Sequence, residues 1–312
     1  MMFQKGYLMM HYSVLKQELI QNLKIKENGI YVDATVGYAG DSIEILKRIK
    51  KGFLYAFDAD PKAVEYSTNE LSKISENFTV FEDNFEHLKS NLQKVGVLKV
   101  DGIIFDLGLS SPEIDEVSRG FSFMNDAPLD MRMSSKGKSA KDIIDTYSES
   151  ELTDIFYKYG EEAKSKFFAR NIFQNKKNIN TTLELVEVIK SSVGANYFYK
   201  THPERKIFQA LRIEVNEELK VLESAIPQAI DMLKPGGRIC IITFHSLEDR
   251  VVKQIFKKYS EVPEPFKGEI DIPLEYKPIL KNIYKKPILP SEKELEENSR
   301  SHSAKLRVGE RI

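Results

Sequence analysis

Four aspartates, Asp33, Asp58, Asp83 and Asp106, close successive apolar runs in the first third of the chain. A carboxylate in such a place can accept hydrogen bonds from hydroxyls or face a positive charge. Acids gathered on one edge suit a ligand carrying both, and do not suit a polyphosphate. The first acid opens the stretch "DATVGYAGDS" (33–42), a glycine-containing turn that leads into a helical pattern. Gly37 and Gly40 permit close backbone approach, so the N–H groups of this turn can cradle a ligand. Asp58 and Asp60 follow about twenty residues on, where an acid can accept from both hydroxyls of a ribose. The next stretch, "EDNFEHL" (82–88), suits an adenine edge, with Phe85 able to lie against the ring.

The elements that must position these residues alternate. "GIYVDAT" (29–35), "GFLYAFDAD" (52–60), "NFTVFEDN" (77–84) and "VDGIIFDLG" (100–108) read as strands, and 41–50, 61–75 and 85–95 as helices. That alternation predicts a parallel sheet, whose ligands bind beyond the carboxyl ends of the strands. The pattern then stops. "SAKDIIDTY", "SELTDIFYKYG", "AKSKFFARNIF" and "TLELVEVIKSSV" read as amphipathic helices, and a helical run continues from Pro203 to Leu233. "KPGGRICIITFHS" restores the sheet through a Pro-Gly-Gly turn, and a helix is predicted over 246–258. The Pro-rich segment 262–290 reads as a hairpin and 303–311 as a last strand. The expected organisation is an α/β domain formed by 1–109 and 215–312, interrupted by a helical insertion over 110–214.

Composition narrows the class. The chain has 312 residues, 41% of them hydrophobic, and a formal net charge of −1, so any nucleic-acid surface must be a local patch. A single cysteine, Cys240, excludes an intrachain disulfide and fits a reduced, cytoplasmic compartment. No apolar run approaches the ~20 residues of a membrane span. Histidines at 11, 87, 202, 245 and 302 show no paired ligand spacing, so no metal site is expected. "FHSLEDR" (244–250) gathers His, Ser, Glu and Asp, but no nucleophile elbow accompanies it. Ser246 with Asp249 reads there as a helix cap.

The acid-lined edge admits either a nicotinamide dinucleotide or S-adenosylmethionine. The turn is not G-x-G-x-x-G, and a strand ending in "DLGLSSP" favours the second. There the chain becomes specific. "DLGLSSPEIDEVSRGFSFMNDAPLDMRM" (106–133) resembles the signature of the bacterial 16S ribosomal RNA (cytosine-N4)-methyltransferase family (MraW/RsmH). So do "HYSVL" (11–15), "DATVGYAGDS" (33–42), "DADPKAV" (58–64), "HPERKIFQALRIEVNEEL" (202–219), "LKPGGRICIITFHSLEDRVVK" (233–253) and "ENSRSHSAKLRVGER" (297–311).

The resemblance implies a class I, Rossmann-like S-adenosylmethionine-dependent methyltransferase with a mainly parallel seven-stranded sheet and an inserted helical substrate domain. It implies methylation of the exocyclic N4 of a cytosine, conventionally nucleotide 1402, in the decoding centre. The partner would be 16S rRNA or the 30S subunit, met by a monomer or homodimer; a non-catalytic RNA-binding factor is the alternative. Carried over by motif, cofactor contacts fall on Gly37, Ala39, Gly40, Asp41, Asp58, Phe85, Asp106 and Glu113. The family commonly has Gly-Gly-His where this chain has Ala39-Gly40-Asp41, and Gln at Glu113. Ala39 can present its N–H if its φ is negative, and Asp41 reads as a helix N-cap. Asp106, Ser110 and Ser111 are the expected acceptors around the target amine. Arg119, Arg132, Arg205, Lys206 and Arg212 are expected to meet RNA, with Phe121 and Phe123 either stacking on a base or packing in the core. Lys305 and Arg307, in a C-terminal stretch carrying four Arg/Lys against one Glu, are expected phosphate contacts.

Overall fold

The computed structural model describes residues 13–108, 116–134 and 136–312. It divides into two compact units. One runs to Gly108 and resumes over Glu223–Ile312; the other is Leu109–Leu222.

The first unit is built on strands β1 (Ile30–Asp33), β2 (Phe53–Asp58), β3 (Phe78–Glu82), β4 (Val100–Asp106), β5 (Leu233–Thr243), β6 (Leu280–Asn282) and β7 (Lys305–Arg311). Their order is β3-β2-β1-β4-β5-β7-β6. β1 to β5 are mutually parallel, and β7 runs antiparallel between β5 and β6. β4 and the second half of β5 are buried almost throughout, as central parallel strands require. Helices α1 (Lys16–Leu23), α2 (Gly40–Leu46), α3 (Pro61–Ser72) and α4 (Leu88–Lys94) belong to this unit. Leu15, Leu19 and Leu23 pack with Tyr31, Leu54, Ile104, Cys240 and Ile242 in one core.

Register fixes which acids share a face. Asp33 pairs with Ala56 of β2 and with Ile104 of β4. Asp58 and Asp106 each lie two residues beyond those partners. Side chains repeat every second residue along a strand, so Asp33, Asp58 and Asp106 leave the sheet on the same side.

The second unit contains α5 (Ala140–Thr146), α6 (Glu149–Lys158), α7 (Ser165–Asn175), α8 (Thr182–Ser191), α9 (Ala195–Thr201) and α10 (Pro203–Asn216). Reciprocal caps Ser139–Asp142, Ser148–Glu151 and Thr181–Glu184 start α5, α6 and α8. Ile144, Leu152, Phe156, Phe168, Leu185 and Leu211 fill its core. Phe121 is buried in that core and Phe123 packs on it, edge-to-face with Phe208 at 5.8 Å. The two rings thus serve packing.

Three sequence expectations change. The run from Pro203 is two helices, α10 and α11 (Glu218–Met232), broken at Glu217, whose φ is +49°. No Gly or Pro marks that break, so local propensity gave no warning. The Pro-rich segment forms no hairpin among its described residues: Leu280–Asn282 pairs instead with β7, after two single 3₁₀ turns. The helix after β5, α12 (Ser246–Ser260), is capped by His245, not by Ser246. The Glu248 N–H donates to His245 Nδ1, and the Glu248 carboxylate accepts from the Phe244 and His245 N–H groups.

Candidate active site

The glycine turn after β1 is tied to both neighbouring strands. The Ala34 N–H donates to the Ile104 carbonyl, and the Val36 N–H to the Phe57 carbonyl, both at 2.9 Å. Thr35 Oγ1 accepts from the Asp106 N–H at 2.7 Å. Gly37, at φ +46°, donates its N–H to Asp58 Oδ2 at 2.9 Å. Asp58 Oδ1 accepts from the Asp60 N–H, and Asp60 in turn caps α3. Both carboxylate oxygens of Asp58 thus hold the turn in shape.

Ala39 differs from its expected role. Its φ is +64°, positive rather than negative, and it occupies the cap position of α2. Its N–H donates to the Val36 carbonyl at 2.7 Å, so it closes the turn and is not offered to a ligand. Asp41 is accordingly not the N-cap; it lies in the first helical turn and is buried. A Cβ at Gly40 would stand 2.3 Å from Ser13 Oγ, so a side chain there would displace the serine hydroxyl.

Three buried carboxyls meet beyond the strand ends. Asp33 accepts from Ser42 Oγ at 2.7 Å and from the Thr35 N–H at 3.1 Å, yet burial still pushes it up to about 6. Burial first, and then the Asp33 charge, push Asp41 up to about 7. Burial, with Asp41, Asp33 and Glu248 nearby, raises Asp106 well above the carboxylate range. Asp41 Oδ1 and Asp106 Oδ1 are buried with no hydrogen-bond partner among the described residues. A pocket that leaves carboxyl oxygens unsatisfied and mutually repelling lacks a cation or donors. S-adenosylmethionine brings a sulfonium, an ammonium and a ribose diol, so the residues present fit it. A dinucleotide's pyrophosphate would meet these acids unfavourably. Asp33 was visible in the sequence only as a strand-closing acid, and the motif-based site did not include it.

Phe85 opens a 3₁₀ turn (Phe85–His87) and stands edge-on to Phe105 at 5.4 Å between ring centres. Asp83 is spent locally. It accepts from His87 Nδ1, Asn91 Nδ2 and the Asn84 N–H, bonds that hold its pKa low against desolvation. The acid that closes β3 is Glu82, paired with Asp58. Ser110, Ser111 and Glu113 lie outside the described residues.

The expected RNA-facing cations are mostly engaged within their own units. Arg132 grips Asp130 at two points, 2.7 and 2.8 Å. Arg119 donates to the Arg132 and Met133 carbonyls. Lys206 pairs with buried Glu162 at 3.2 Å, and Arg212 with Glu218 at 2.8 and 2.9 Å. Lys305 and Arg307 share Asp249 at 3.3 and 2.7 Å. Arg205 is exposed, its guanidinium 5.9 Å from the centre of the Phe123 ring.

The strand order, its one antiparallel strand and the acid-lined turn define a class I methyltransferase. A family model described as the MraW methylase family matches residues 8–312. The chain is 51% identical over 304 residues to "Ribosomal RNA small subunit methyltransferase H 1" of Acholeplasma laidlawii strain PG-8A, spanning 97% of this chain and 99% of that protein. It belongs to the MraW methylase family and is an S-adenosylmethionine-dependent methyltransferase. Similar solved structures include an rRNA methylase from Streptococcus thermophilus, at 15% identity and TM-score 0.40, covering 95% of this chain and 93% of that one. Another is SMU.1697c, a methyltransferase homologue from Streptococcus mutans in complex with SAH, at 14% identity and TM-score 0.42, covering 95% of each chain. No helix of the described residues is long and apolar enough to cross a membrane.

Proposed function

We propose that this enzyme transfers a methyl group from S-adenosylmethionine to the exocyclic N4 of cytosine 1402 of 16S rRNA, in the decoding centre of the small subunit. The 51% identity to a small-subunit rRNA methyltransferase supports the substrate class. The observation that carries the chemistry is Asp106 Oδ1, buried and without a hydrogen-bond partner among the described residues, at the carboxyl end of β4 near Asp41 and Asp33.

The cofactor supplies a methyl on a sulfonium, so the carbon is already activated. A cytosine N4 is a weak nucleophile because its lone pair is delocalised into the ring. What remains for the protein is to hold the base in line, exclude water, and accept a proton from the amine. Asp58 and Phe85 would hold the ribose and adenine, and Asp33 and Asp41 would face the cofactor's positive charge. Backbone groups at Gly37 and Gly40 shape that floor. Asp106 would accept a hydrogen bond from N4. A neighbouring cation favours the ionised Asp106, so cofactor binding prepares the acceptor. The base must be splayed out of the folded RNA to reach this edge.

The test is methyl transfer from labelled S-adenosylmethionine to purified 30S subunits and to naked 16S rRNA in parallel, with the modified nucleotide mapped. Label in N4-methylcytidine at position 1402 is expected. Label in another base, or cofactor binding with no transfer to either substrate, sinks the reading; the second outcome favours a non-catalytic RNA-binding factor.

A further inference from the structure

At the far edge of the sheet a small basic groove lies between α12 and the chain that follows β6. It encloses about 140 Å³ and is lined by Lys253, Lys257, Tyr284, Lys285, Lys286 and Arg307 among others. Its origin is local. Asp249, Lys253 and Lys257 recur every fourth residue along α12, and Glu261, just past its end, continues the stripe. The two acids of the stripe are answered from within the chain: Asp249 by Lys305 and Arg307, and Glu261 by Lys257 at 4.0 Å. Lys253, Lys285 and Lys286 are exposed and make no ion pair among the described residues. In a chain of net charge −1, three unanswered cations in one groove are a local excess.

Tyr284 gives the groove its second character. The residue is 47% exposed, while its hydroxyl donates to Asn22 Oδ1 at 3.0 Å. The anchored hydroxyl leaves a flat aromatic surface exposed among the lysines. Cations that track a backbone beside an aromatic face are the elements by which proteins hold single strands: phosphates meet the lysines, and a base stacks on the ring.

We propose that this groove binds a single-stranded segment of RNA, with phosphates at Lys253, Lys285 and Lys286 and a base on Tyr284. It would be a second contact with the substrate. β6 lies three strand spacings from β4, roughly 14 Å from the strand that presents Asp106. Only the choice of RNA as the polymer rests on the proposed function; the test needs no methyl transfer.

Binding of a labelled oligouridylate to the full chain is followed by anisotropy across a salt series. The triple variant Lys253→Ala, Lys285→Ala, Lys286→Ala is expected to lose roughly tenfold or more in affinity. Each lost phosphate contact on a single strand lowers the salt slope by about 0.7, so the slope should shrink by about 2. Tyr284→Phe should bind nearly as the parent and Tyr284→Ala several-fold more weakly. S-adenosylmethionine affinity, measured by calorimetry, should stay unchanged in all of them, which separates a lost groove from a damaged fold. Unchanged RNA affinity and slope in the triple variant overturn the proposal. So does lysine-dependent binding of polyglutamate with no effect of Tyr284→Ala on RNA, which would mark an acidic-protein surface. If 16S rRNA is never methylated yet the oligonucleotide results hold, the proposed function fails and the groove stands.

Discussion

The Gly37 N–H donates to Asp58 Oδ2 at 2.9 Å, joining the turn after β1 to the end of β2 across 21 residues of sequence. One carboxylate thus shapes the turn, and under the proposed function it also accepts from the cofactor's ribose. Asp58→Ala should remove both. A hydrogen bond to a charged group contributes about 1.5–3 kcal/mol, so S-adenosylmethionine affinity should fall by about one to two decades. Thermal stability should fall as well, because the Gly37 and Asp60 N–H groups lose their partner. Calorimetric titration together with a melting curve reads both, and parent-like cofactor affinity would place the ribose elsewhere.

Ala39 holds φ +64° with its side chain fully buried. That conformation is strained for any residue with a Cβ. Ala39→Gly should therefore stabilise the protein by roughly 0.5–1 kcal/mol, offset in part by the greater freedom of glycine when unfolded. The urea midpoint should rise with an unchanged slope. Ala39→Val should do the reverse. A lower midpoint for the glycine variant would contradict the left-handed turn.

The buried acids make a statement about pH. Asp33 and Asp41 titrate near 6 and 7 in the folded protein, above the ordinary carboxyl value of 3.8. The folded state therefore binds protons that the unfolded state has already released. Stability from these groups is fully present below about pH 4 and is lost as pH rises through 6 and 7. Asp41→Asn should raise the melting temperature of the cofactor-free protein at pH 8 and flatten its decline between pH 4 and 7. Cofactor affinity should drop, since the ligand's positive charge loses one of its counter-charges. A melting curve at pH 8 that does not move would remove Asp41 from the cluster.

Asp106→Asn preserves size and one acceptor but not the charge. If Asp106 receives the proton from the target amine, kcat should fall much further than cofactor affinity. Equal losses in the two would make it a cofactor ligand only.

Arg212 and Glu218 face each other across the break at Glu217, 17% and 12% exposed. The two-point grip spans the break between the end of α10 and the first residue of α11. Arg212→Ala should cost about 1–3 kcal/mol by stranding Glu218, and Arg212→Lys should restore little, because an ammonium cannot grip both oxygens. Combining Arg212→Ala with Glu218→Ala should cost less than the sum of the two single changes. A fall in RNA affinity with no loss of stability would return Arg212 to the RNA surface.

Much of the first unit was legible in the order of residues. Strand-closing acids, the two-glycine turn and helical periodicity act over a few residues each, so the alternation of β1 to β4 with helices could be read directly. Chain-long motifs then supplied the family. The tertiary fold decided what depends on partners distant in sequence. Lys206 reads as a free cation until Glu162 is seen buried beneath it, and Arg307 until Asp249 lies across from it. The sign of φ at Ala39 was likewise undetermined, because it follows from the bonds that pin Val36 and Gly37 to β2. The gathering of Asp33, Asp41 and Asp106 into one unsatisfied cluster required strand register and burial together. Sequence spacing sets which face a side chain takes; only packing sets how much water, and which opposing charge, it finds there.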